Sequence, residues 1–261
     1  MVIVLVAALS YLVASLLLAH TALHPGHGRW RWLAPGILAV ALHGLHHVDI
    51  ALSTPGGPDL HFFAALSLVG LGMAGLTSLV AARGRLGALA LVAYPLAALA
   101  LLAFQFADHS PSPALGWRLA THAWLALLAY ATLAVGTLLA LMLRVQERAL
   151  RQRRLGGMSR ILPPLNELET LLFRTISAGF FLLTLALISG VLFVDDLLAQ
   201  KLVHKTVLSV LSWVVFGTLL LGRWRWGWRG LKAVRLTLVA SILLLLAFFG
   251  SKAAIELVFN H

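Results

Sequence analysis

The chain carries eleven histidines among 261 residues, although only 11% of its side chains are charged. Imidazole is the commonest metal ligand and an axial ligand of haem iron, so the positions of these rings are the first question. His43, His46 and His47 lie on one apolar stretch. At about 100° per residue, His43 shares a helix face with both of the others. His122 falls in the first turn of LATHAWLALLAYATLAVG, an almost wholly apolar run from Leu119 to Gly136. An imidazole inside a bilayer is costly and turns toward a partner or a cavity, which makes His122 and His43 the leading ligand candidates. Two imidazoles from different helices can clamp a haem iron from both sides. Trp117, Trp124 and Trp213 could wall the macrocycle, and Lys205 or Arg118 could pair with its propionates. His43 and His47, at i, i+4 spacing, also resemble half of a helical metal site, but the nearby carboxylate Asp49 points elsewhere on the wheel. His61, His109, His204 and His261 fall at or beyond the ends of apolar stretches. His20, His24 and His27 sit at the end of the first stretch and in the loop after it, and read as solvated.

The elements that carry these residues follow from composition. The chain is 61% hydrophobic with a mean hydropathy of +0.94, whereas a soluble domain carries about 25% charged residues. There is too little polar surface to cover a soluble protein of this length. The expectation is an all-α, polytopic bundle forming a single membrane domain over 1–261. A spanning helix needs about 20 mostly apolar residues. Eight segments qualify, at about 2–19, 33–52, 61–81, 86–106, 119–143, 173–194, 204–221 and 233–250. The first lacks a basic leader and is longer than the apolar core of a signal peptide, so it reads as a helix. Cysteine is absent, which excludes disulfides, thiolate metal sites and thiol redox chemistry on this chain.

Loop charge sets the expected orientation. The net charge is +11, and all but four of the basic residues lie in alternate loops or at their edges. They are Arg29 and Arg31; Arg83 and Arg85; Arg144, Arg148, Arg151, Arg153, Arg154, Arg160 and Arg174; and Arg223, Arg225, Arg229, Lys232 and Arg235. Acidic Asp59, Asp108, Asp195, Asp196 and Glu256 lie on the opposite side. The positive-inside rule then places both termini outside and His43, His46, His47, His61, His122 and His204 toward the outer face. The positive charge reads as topology and contact with anionic lipid, with no nucleic-acid partner.

The long inner connection, 144–172, begins with RVQERALRQRR, which continues the fifth helix as a charged extension. Gly156-Gly157 and Pro163-Pro164 end it, and Asn166 with Glu169 reads as a capping box that starts the sixth helix. GRWRWGWRG (222–230) suits an interfacial Trp belt with arginines reaching phosphates. Thr184, Ser189, Ser209, Ser212, Thr237 and Ser241 can bond within or between helices. Gly179 and Gly190 permit close packing, and Lys252–Glu256 reads as an ion pair.

Several stretches together carry a resemblance: THAWLALLAYATL (121–133), PPLNELETLLFR (163–174), GFFLLTLALISGVLF (179–193), HKTVLSVLSW (204–213), GWRG (227–230) and AFFGSKAAIEL (247–257). With these, nearly the full chain resembles the cytochrome c assembly membrane protein family. The likeness is to its CcsA-like haem-handling proteins, in the short YpjD-like and HemX-like branch. The resemblance implies an outer-face haem site in which a tryptophan-rich WWD segment lies between two histidines and delivers haem to apocytochrome c. His122, in its His…Ala-Tyr context, matches the histidine before that segment. The tryptophans should fall near VDDLLAQKLVHKT (194–206), and they are absent there. After the eighth helix begins, the region of the second histidine reads GSKAA, with Lys252. His204 is a substitute, and His43 is carried over as a histidine of the second helix.

The expected function is therefore inner-membrane haem binding or haem handling in cytochrome c biogenesis, accessory in role and without haem-lyase catalysis. Haem is the cofactor, with His122, His43, His204 and Lys205 toward it. The lipid bilayer and other cytochrome c assembly proteins are the partners. The alternatives are a regulatory or scaffold protein of haem metabolism, and a metal or solute transporter using His43 and His47.

Overall fold

A computed structural model describes residues 1–23, 30–53, 60–83, 86–107, 115–152, 163–193 and 200–250. The readings on His24, His27, His109, His261, the Lys252–Glu256 pair and the 194–199 stretch lie outside these residues. As the hydropathy predicts, the described residues are all-α, with eight helices long and apolar enough to cross a membrane. A lipid-embedded backbone must satisfy its own N–H and C=O groups, and a helix does so within one segment.

The helices fall into two compact units. The first contains α1 (Val2–Leu23), α2 (Trp30–Ser53), α3 (Phe62–Arg83) and α4 (Ala90–Phe106), the last preceded by a 3-10 turn, Leu86–Leu89. Here α1 packs on both α2 and α4, and α3 packs on α4. Tyr11, Leu33, Tyr94 and a series of alanines fill the core. Pro35 and Pro95 lie inside α2 and α4, where neighbouring groups in a bundle re-satisfy the freed carbonyls.

The second unit contains α5 (Trp117–Arg151), α6 (Leu165–Phe193), α7 (Gln200–Trp226) and α8 (Gly230–Leu245), which runs into a π turn, Leu246–Gly250. Its most extensive packing is α5 against α6. Gly179 makes that approach close, since a Cβ there would come 2.6 Å from the Leu133 side chain. The charged extension of α5 reaches Arg151, where the guanidinium pairs with Glu147 at 3.0 Å.

One local expectation changes. Helix α6 starts at Leu165 with Pro164 carbonyl accepting from the Glu167 and Leu168 amides, so Asn166 is already helical. Glu169 does not reach back as a capping box would. It is buried, and it turns to the start of α8, accepting from the Gly230 amide at 3.0 Å and from Arg229 Nε at 3.1 Å. The carboxylate satisfies a donor that the first turn of α8 leaves without an intrahelical partner. Gly227 and Gly230 have φ of 65° and 57°, which favours glycine, and they bracket the turn between α7 and α8. Thus LNELE (165–169) and GWRG (227–230), far apart in sequence, meet at one end of this unit.

Candidate functional site

In the second unit His122 sits in the first turn and a half of α5, facing the last two turns of α6. Its Nδ1 lies 2.9 Å from the Ala186 carbonyl oxygen and 3.1 Å from Ser189 Oγ. A carbonyl only accepts, so Nδ1 carries the hydrogen, and the neutral ring keeps its lone pair on Nε2. Ser189 Oγ also donates to Ala186 at 2.9 Å, holding that carbonyl between two donors. Gly190 leaves room for the ring, since a Cβ there would come 3.1 Å from His122 Cε1.

His122 lines a cleft of about 210 Å³ together with Tyr130, Gly190, Lys205, Ser209 and Phe248. The cleft lies at one end of the unit because alternate helices run in opposite directions. It takes the start of α5 and α7 and the end of α6 and α8. Tyr130, the tyrosine of the Ala-Tyr motif, donates to the Leu244 carbonyl at 2.7 Å and so ties α5 to the end of α8. The walls are mostly aliphatic.

The other expected residues are distributed around this cleft. Lys205 lines it, whereas His204 is exposed and does not. Trp117 and Trp124 are exposed outside the cleft. Trp213 is engaged elsewhere, donating to Thr184 Oγ1 at 2.8 Å and stacking on Phe180. The walls are therefore supplied by Tyr130, Phe248 and aliphatic side chains, because Trp213 faces α6 at a deeper level. The donor set fits a haem edge: an imidazole with its Nδ1 hydrogen anchored on a carbonyl, apolar walls and one amine. Anchoring one ring nitrogen is the usual way to orient a ligating imidazole.

In the first unit the histidines are used differently. His43 is fully buried; Tyr11 Oη lies 3.3 Å from its Nδ1 and Ser67 Oγ 2.9 Å from its Nε2. His47 Nε2 lies 2.9 Å from the same Ser67 oxygen. The rings of His43 and His47 stack with centroids 5.4 Å apart. His46, His47 and His61 all lie against the ring of Phe104. Four histidines are thus gathered in this unit, but among the described residues no group of three or more His, Asp or Glu is placed to hold a metal ion. Tyr11, Ser67, Ser189 and the Ala186 carbonyl were not singled out as histidine partners by sequence reasoning. The available signal was weak: a tyrosine or serine inside an apolar span.

Comparison with known proteins follows the same outline. The family model described as cytochrome C assembly protein matches residues 32–258. The inner membrane protein YpjD of Escherichia coli (strain K12) is 31% identical over 240 residues, covering 89% of this chain and 90% of that protein. Protein HemX of Brevibacillus brevis is 28% identical over 134 residues, 51% of this chain and 49% of its own length. The cytochrome c biogenesis protein CcsA of Prochlorococcus marinus is 29% identical over 86 residues, 32% of this chain and 27% of its own. No solved structure matches. The family match runs from α2 through α8 and takes in both the His122 cleft and the Glu169–Gly230 contact: the chain belongs to the cytochrome c assembly protein family.

Proposed function

We propose that this protein is a multi-pass inner-membrane protein of cytochrome c biogenesis that holds a haem at His122 in an accessory role. The carrying observation is the fixed tautomer of His122. Its Nδ1 hydrogen is committed to Ala186 and Ser189, and Nε2 has no partner among the described residues. Bound haem would supply the iron chemistry. The chain's own residues do four things toward it: His122 offers a ligand, Ser189 and Ala186 orient that ligand, Tyr130 and Phe248 exclude water, and Lys205 offers a cation to an acidic edge. Loop charge supports an orientation with this cleft at the outer face and both termini outside. The lack of tryptophans over 194–206 favours holding haem over attaching it. Lipid surrounds the bundle, and other assembly proteins are the partners that would receive or deliver haem.

The test is purification in detergent with haem supplied, followed by an absorption spectrum. A Soret band that is lost or displaced in His122→Ala supports the reading. No band in the unaltered protein, or an identical band in the variant, overturns it.

A further inference from the structure

The first unit contains a line of hydrogen-bonding side chains that the His122 site does not use. Tyr11 on α1, His43 and His47 on α2 and Ser67 on α3 are joined without a break: Tyr11 Oη to His43 Nδ1 at 3.3 Å, His43 Nε2 to Ser67 Oγ at 2.9 Å, and Ser67 Oγ to His47 Nε2 at 2.9 Å. Tyr11, His43 and Ser67 are all fully buried. Beyond Tyr11 lies Tyr94 on α4, with ring centroids 5.5 Å apart, and Tyr94 Oη bonds to Ser78 Oγ at 2.9 Å. Ser78 donates to the Ala74 carbonyl, so Tyr94 is the donor to Ser78. Ser67 and Ser78 are eleven residues apart on α3, roughly 16 Å along its axis. The line therefore covers about half of a hydrocarbon core roughly 30 Å thick.

Burying five polar side chains, with a sixth partly buried, in a membrane core is costly, and such groups mark ion or proton pathways. Here each is both donor and acceptor, and none carries a fixed charge. That composition suits the passage of protons, and no member of the line supplies a fixed counter-charge for another ion. We propose that the first unit contains a proton relay running His47–Ser67–His43–Tyr11 and continuing through Tyr94 to Ser78.

The direction of each bond follows from the hydrogen of Tyr11. Among the described residues its one acceptor is His43 Nδ1, and a buried donor without an acceptor is strongly disfavoured. His43 then carries its hydrogen on Nε2 and donates to Ser67, which donates to His47 Nε2, leaving the His47 hydrogen on Nδ1. One transfer event moves the Tyr11 hydrogen to His43 Nδ1, the His43 Nε2 hydrogen to Ser67 and the Ser67 hydrogen to His47 Nε2. The His47 Nδ1 hydrogen leaves; Tyr94 turns its hydroxyl from Ser78 to Tyr11 and passes its hydrogen on, Ser78 turns from the Ala74 carbonyl and passes its own to Tyr94, and a proton arriving at Ser78 completes the sequence. One proton enters, one leaves, and no bond between heavy atoms changes. His47 is only partly buried and provides the outlet.

The step between the two tyrosines is a ring contact, which makes it the slow step and the control point. Tyr94 is confined there because its hydroxyl lies against the α2 backbone at Gly36, where a Cβ would come within 2.5 Å of it. Among the described residues, the other titratable groups around the line are His46 and the exposed Asp49 on α2, His61 before α3 and the N-terminal amine beside His46.

The full-length protein, reconstituted in liposomes with a trapped pH-sensitive dye and with valinomycin and K⁺ to balance charge, tests the relay directly. An external acid pulse should be transmitted several-fold faster than in protein-free liposomes. Ser67→Ala and Tyr94→Phe, each removing one hydroxyl and retaining the wild-type elution volume, should return to the protein-free rate. Wild-type protein that transmits no faster than empty liposomes overturns the proposal, as does a Ser67→Ala variant that transmits like the wild type.

Discussion

His43 and His122 are both buried or half-buried imidazoles on spanning helices, yet their surroundings leave them different chemistry. His43 is held at both nitrogens by side chains, Tyr11 and Ser67, that can themselves donate or accept. His122 is held at one nitrogen by a backbone carbonyl, which only accepts. The first arrangement lets a hydrogen move along the chain of groups and offers no lone pair to a ligand. The second fixes the hydrogen on Nδ1 and leaves Nε2 to coordinate. Being a histidine in a membrane span is shared; whether the partner can reverse its role decides between a relay and a ligand.

Substitution of the two rings is the sharpest way to break this comparison. His122→Ala should abolish the haem Soret band, whereas His43→Ala should leave it as in the wild type; absorption spectra of the two purified variants decide this, and equal losses would erase the distinction. The stability effect should run the other way. His43→Ala leaves Tyr11 unpartnered in the core, removes one of the two partners of Ser67 and opens a cavity, at a cost of about 3 kcal/mol, read from denaturant unfolding in detergent. His122→Ala, at the rim of a cleft, should cost less than half of that.

Smaller changes sharpen the second unit alone. Ser189→Ala keeps the Ala186 carbonyl but removes one of the two acceptors for Nδ1. Haem affinity should fall by roughly tenfold, the low end of what outer partners of a ligand contribute, with the Soret position retained in a haem titration. Lys205→Ala should have the smallest effect. It removes an amine at a partly open cleft, where an ion pair contributes about 1 kcal/mol or less, so the same titration should show only a few-fold weakening that shrinks further as salt is raised.

Much of this molecule is legible in the order of its residues. The eight apolar runs are helices, the α5 extension runs to Arg151, and His122 falls near the start of α5. The partners are not legible. Helical periodicity says that His43 and His47 share a face, but not that this face meets Ser67. Asn166 and Glu169 have capping-box spacing, yet the Glu169 carboxylate bonds across to Gly230. A local spacing rule cannot anticipate a donor sixty-one residues away. Trp213 reads as a wall for a cofactor, and Thr184 takes its indole hydrogen instead.

The sequence by itself determined that the chain is a membrane bundle, because apolar runs of about 20 residues have no other way to satisfy their backbone in lipid. It also determined which end of each helix carries the histidines. Only the tertiary structure decided which partner each imidazole has. A hydrogen bond is made or lost within an ångström that no pattern along the chain specifies. A carbonyl beside His122 and a hydroxyl beside His43 separate a candidate haem ligand from a candidate proton carrier.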